Sequence, residues 1–162
     1  MQSPTRSFEL LEALCRANVD FIVVGMTAAV LQGAPAVTFD LAIVYARTPD
    51  NIGRLLAALA ELEAHFRTDP ERRIRPNASH LASAGNKLLM TRLGQLDVLG
   101  SLEVGEGYDE LLPDSVAIDV GGMQVRTLGL ERLIAAKERA NREKDRAVLP
   151  LLKSTLARAR KR

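Results

Sequence analysis

The chain has no tryptophan, and aromatics of all kinds make up only 4% of its 162 residues. That excludes an aromatic core and leaves Leu, Val, Ile and Ala to fill the interior. Cys15 is the single cysteine, so an internal disulfide is excluded and a reducing compartment fits. No apolar run approaches the ~20 residues of a membrane span. No apolar signal core stands behind Met1-Gln-Ser-Pro-Thr-Arg6, so the expected location is cytoplasmic, without a membrane partner. The net charge of +2 is too small to argue by itself for a polyanion. There is no Gly-x-Ser-x-Gly elbow and no P-loop. His80, one of two histidines, has no Cys or His at ligand spacing, which argues against zinc. Internal repeats and low-complexity segments are also missing.

Apolar residues reach 47%, which fits a globular protein and is too high for disorder. The length predicts one domain over 1–162, with a core at about 7–128 and C-terminal helices at about 130–160. Ser7 to Asn18 has the helical spacing, with Phe8, Leu11, Leu14 and Cys15 on one face and Ser7 as N-cap. Asp20 to Gly25 reads as a buried strand. Thr27 to Gln32 reads as a short helix closed by Gly33 and Pro35. Val37 to Ala46 is a second strand. Thr48-Pro49-Asp50 opens a helix with a cap, a first-turn proline and an acid at the positive end. Its stripe is Ile52, Leu55, Leu56, Leu59 and Leu62.

Residues 65–86 contain Pro70, Pro76, Asn77, Gly85 and Asn86 without a sustained period. They read as a long loop, and a loop of that length is functional or mobile. Two hairpins follow: Lys87–Arg92 with Gln95–Leu99 around Leu93-Gly94, and Val116–Val120 with Met123–Leu128 around Gly121-Gly122. A helix over Leu130–Ala140 precedes another from about Arg142 toward Lys161, expected to bend at Pro150. This order predicts an α/β (α+β) fold, a mixed sheet covered by helices.

Asp40 and Ala42 share one face of the second strand, because strand side chains alternate. A carboxylate at 42 would complete a pair able to hold two divalent ions, and alanine stands there instead. Gly25 before this strand, Thr38-Phe-Asp-Leu-Ala-Ile43 on it and a later strand carboxylate, Asp97, resemble the minimal nucleotidyltransferase superfamily. The likeness is to its small bacterial members, stand-alone or associated with toxin–antitoxin pairs. It runs roughly from Asp20 to Leu152, with Met26 and Ala42 departing from the family pattern of a small-residue turn and a second Asp.

That resemblance implies Mg²⁺-dependent transfer of a nucleoside monophosphate from an NTP to a hydroxyl on RNA, protein or a small molecule. Asp40 and Asp97 would be the catalytic and metal carboxylates. Gly25 and Thr27 would present a helix start to phosphate. Arg75, with Arg72 and Arg73, would bind polyphosphate or RNA from the loop. Lys137 and Lys144 would reach the triphosphate from the C-terminal helices. The alternative is an inactive nucleotidyltransferase-fold module that binds nucleotide, RNA or a protein partner such as an antitoxin. Each residue also has a plainer reading: a strand-end Asp, a simple strand-to-helix turn, a solvated basic loop, helix-surface charge.

Overall fold

The computed structural model describes residues 5–102 and 105–161. Two apolar strands lie at the heart of the sheet, β1 (Phe21–Val24) and β2 (Asp40–Tyr45), paired antiparallel. All four β1 side chains are buried. Between the strands stands the short helix α2 (Gly25–Leu31). The carbonyl and amide of Asp20 and the carbonyl of Ala46 all bond to the amide of Asn51, which is 0% exposed. One buried side chain thus ties the start of β1 to the end of β2 and both to α3 (Pro49–Glu61). Asn51 sits there because Thr48 caps that helix, accepting from the Asn51 N–H with Pro49 in the first turn.

Further strands complete a mixed sheet of order β3-β4-β5-β2-β1-β7-β6: β3 (His65–Phe66), β4 (Asn86–Thr91), β5 (Gly94–Leu99), β6 (Ser115–Val120) and β7 (Met123–Leu128). β2 runs parallel to β5, and β1 parallel to β7. The β6–β7 turn has φ of 57° at Gly121 and 90° at Gly122, the positive pair that a tight hairpin requires. The Phe8 ring covers it so closely that a Cβ at Gly121 would come within 2.6 Å. The first helix, α1 (Ser7–Arg16), buries Leu10, Leu11 and Leu14. At the C-terminal end α6 (Leu130–Ala140) buries Leu133 and Ile134 and packs on α7 (Glu143–Arg160). No helix among the described residues is long and apolar enough to cross a membrane.

Several expectations need correction. Residues 65–86 are not a structureless loop. They hold β3, paired with β4, and α4 (Ala78–Ala82), whose N-terminus Asn77 and His80 cap reciprocally. His80 also stacks edge-on against Phe66, so its part here is structural. Behind the segment, Lys87 is 4% exposed, and its ammonium donates to the carbonyls of Ser83 and Gly85 and to the Tyr45 hydroxyl. The Tyr45 hydroxyl in turn donates a hydrogen bond to the Leu81 carbonyl. The backbone bonds that the missing ladder leaves open are thereby filled from below. β2 begins at Asp40 rather than Val37, and Val37 (72% exposed) and Phe39 lie outside the sheet. Arg6, not Ser7, occupies the N-cap position of α1, and the helix stops at Arg16. α7 continues through Pro150 as one helix.

Candidate functional site

The β2–β5 register sets the geometry. Ala42 pairs with Asp97, and Asp40 with Gln95, in parallel. Asp40 and Asp97 therefore project from the same face of neighbouring strands, one pleat apart. Their carboxyl groups are within hydrogen-bonding reach. Burial raises the Asp40 pKa above its ordinary value, and the hydrogen bond to Asp97 and its charge raise it further; the charges of Arg67 and Lys144 pull it back.

Arg67 was not singled out by the sequence reading. It follows the two-residue β3, too short to give a pattern, and its partner lies 30 positions along the chain. Its backbone N–H bonds to the Leu88 carbonyl, and its guanidinium Nη1 bonds to the Leu89 carbonyl at 2.9 Å. The same nitrogen lies 2.7 Å from Asp97 Oδ1, with the two side chains 22% and 15% exposed. Oδ1 has no aligned hydrogen-bond partner among the described residues, so this is a contact of charge at close range.

Gly25 opens α2 at φ 69°, a conformation that favours glycine. A Cβ there would stand 3.7 Å from the Ala42 Cβ. Met26 packs against the core. Thr27 is 4% exposed and donates to the Asp40 carbonyl, so its hydroxyl fixes the start of β2. Arg72, Arg73 and Arg75 are exposed, and Arg72 lies 3.9 Å from Asp69. Lys144 is exposed and lies near enough to Asp40 to act on its charge.

Beside Gly25 and Ala42 opens a cavity of about 270 Å³, walled by Leu99, Leu128 and Leu133 and rimmed by Lys137 and Arg142. Asp40 and Asp97 do not line it; Ala42 is the link between the carboxylates and the cavity. Two ion clusters hold its helical wall. Lys137 Nζ is 3.2 Å from the fully buried Asp145, and the Arg142 guanidinium grips the same carboxylate at 2.6 Å. The bond from Arg142 above all, with the Lys137 ammonium, holds the Asp145 carboxyl well below the usual range. On the far side Arg132 pairs closely with Glu106, as does Arg139 at 3.4 Å. Arg132 Nη1 and Glu106 Oε1 remain buried without hydrogen-bond partners among the described residues. They leave one donor and one acceptor open in a largely apolar wall. The sequence reading missed Glu106, Arg132, Arg139 and Arg142, whose pairings are long-range or span a helix junction.

Magnesium fits this donor set poorly. The ion prefers octahedral oxygen ligands and gives up water reluctantly. Among the described residues there is no group of three or more His, Cys, Asp or Glu side chains able to hold a metal. Of the two carboxylates present, one already carries a guanidinium. A centre of two ions ~3.5–4 Å apart needs bridging carboxylates, and Ala42, on the Asp40 face of β2 across from Asp97, supplies none.

The arrangement of strands and crossing helices is that of the nucleotidyltransferase fold. Three solved structures agree. A protein of Thermotoga maritima assigned as a nucleotidyltransferase superimposes with a TM-score of 0.55 at 17% identity, over 88% of this chain and 86% of that one. The antibiotic-resistance factor ANT(2'')-Ia gives 0.60 at 15%, over 94% and 86%. An antigenic nucleotidyltransferase-like protein of Paracoccidioides brasiliensis gives 0.50 at 13%, over 95% and 78%. No protein-family model and no curated protein sequence matches the chain.

Proposed function

We propose that this chain is a nucleotide-binding member of the nucleotidyltransferase fold in which two-ion transfer chemistry has been given up. The observation that carries this reading is Ala42, set directly across from Asp97 where the fold's second strand carboxylate would stand. The cavity beside it, about 270 Å³, is near the lower end of the ~300–1,000 Å³ of small-molecule sites. Its apolar wall with one open donor and one open acceptor suits a nucleobase. Gly25 and Lys137 line the cavity and Lys144 acts on Asp40, which supports assigning them to the triphosphate. Calorimetry with each NTP, with and without Mg²⁺, tests the reading: saturable binding is expected, and Ala136→Trp, which sets an indole in the cavity that Ala136 lines, should abolish it. No heat with any NTP overturns it.

Metal-dependent transfer of a nucleoside monophosphate is the second reading. The adjacency of Asp40 and Asp97 favours it. It predicts that Mg²⁺ is required for NTP binding and that NTP is consumed when a hydroxyl acceptor is supplied.

A further inference from the structure

We propose that Arg67 is a resident cation for the Asp40–Asp97 pair, occupying the electrostatic role of a divalent ion, so that the site takes a nucleoside polyphosphate without metal. The ligand half of this rests on the proposed nucleotide binding; the metal half stands alone. Arg67 is not a surface charge that happens to be near. Its backbone is bonded to β4 at Leu88 and its guanidinium to β4 at Leu89, so both ends of the side chain are fixed while the same Nη1 stays 2.7 Å from Asp97. An arginine pinned in this way has already lost its rotamer freedom in the fold and need not give it up again on meeting the carboxylate.

Charge counting completes the argument. Asp40 and Asp97 carry two negative charges at most, and Arg67 and Lys144 bring two positive charges to bear on them. A pair whose charge is already partly offset offers less to a hydrated divalent ion, which must shed water and displace the guanidinium to bind. Ala42 supplies no oxygen to offset that loss. A polyphosphate, by contrast, binds through N–H donors, and with Nη1 engaged by Leu89 and Asp97 the Arg67 guanidinium still has Nε and Nη2 to offer among the contacts of the described residues.

The test uses Mn²⁺ as the probe, followed through the electron paramagnetic resonance of the free ion, on the wild-type chain, Arg67→Gln, Arg67→Met and the double variant Arg67→Gln/Ala42→Asp. The wild type should show no saturable Mn²⁺ binding below millimolar. Removing the guanidinium should raise Mn²⁺ affinity by about tenfold, and the double variant should gain at least as much again, in the range by which groups around a metal site tune its affinity. Arg67→Met keeps the packed stem if glutamine disturbs the fold. Sub-millimolar stoichiometric binding by the wild type overturns the proposal, as does an affinity unchanged in both single variants. A parallel ATP titration in EDTA and in Mg²⁺ should give equal affinities. An affinity that rises with Mg²⁺ counts against the resident cation. ATP that binds in neither condition sinks the nucleotide reading alone and leaves the Mn²⁺ result to decide Arg67.

Discussion

Two carboxylate clusters in this molecule are built from the same materials and behave oppositely. Asp145 is fully buried beneath two cations, Lys137 and Arg142, and its carboxyl is held far toward the ionised form. Asp40 also stands near two cations, Arg67 and Lys144, yet burial and a second carboxylate push it toward the protonated form. The difference is the number of acids sharing the compensation and the geometry of the bonds. Asp145 receives aligned hydrogen bonds from Arg142, the N-cap residue of its own helix, while Asp97 Oδ1 has charge nearby and no aligned donor among the described residues. The first cluster locks α6 to α7. The second keeps polar capacity in reserve, which is how a binding site differs from a structural ion pair.

The largest expected effect comes from breaking the lock. Asp145→Ala would strand two cations, but Lys137 and Arg142 are 25% and 45% exposed and can turn to water. The loss should therefore fall below the ~3–5 kcal/mol of an enclosed pair, at about 2 kcal/mol in denaturant unfolding. Asp40→Asn should do the reverse and stabilise the free protein slightly at neutral pH, since it relieves carboxylate crowding.

Acid titration of the unfolding midpoint sharpens the contrast. Asp145 binds fewer protons folded than unfolded, so its contribution is present above the ordinary carboxylate pKa and is lost as pH falls through and below that range. Asp40 binds more protons folded, so its contribution declines as pH rises from the ordinary carboxylate pKa toward its raised value. Asp145→Asn and Asp40→Asn should thus change the slope of stability against pH with opposite signs. Equal signs would erase the distinction between the clusters.

Ala42→Asp should destabilise the metal-free protein by about 1 kcal/mol, read as a lower melting temperature, because it sets a third acid across from Asp97. With Arg67 in place, Mg²⁺ should restore little of it, as calorimetric scans with and without the ion would reveal. The smallest effect is expected from replacing Arg72, Arg73 and Arg75 together by alanine. Stability should stay within ~0.5 kcal/mol, and any loss of nucleotide affinity should appear at low salt and shrink as salt is added.

Where structure is dictated locally, the sequence was readable. Thr48-Pro49 marked the start of α3, Gly121-Gly122 the tight hairpin, and the Leu130–Ala140 helix has the bounds its spacing predicts. The placement of Asp40, Ala42 and Asp97 on facing strands followed from alternation and resemblance. What escaped depends on distant partners. β3 has two residues and exists because β4 pairs with it. α4 has five and rests on the Asn77 cap. Arg67 and Glu106 take their meaning from Asp97 and Arg132, and no periodic pattern announces a contact made through folding.

Lys87 has a chemical consequence. Burial, with Arg47 nearby, pushes its pKa down to about 8, so near neutrality it holds a larger share of free amine than an ordinary lysine does. An amine-selective acylating reagent should nevertheless find it the slowest lysine in the chain, because three oxygens enclose it. Its labelling rate, read by mass spectrometry, would then report how often the 81–85 segment lifts away from the sheet. That makes one native side chain a clock for opening events no spectroscopic label is needed to see.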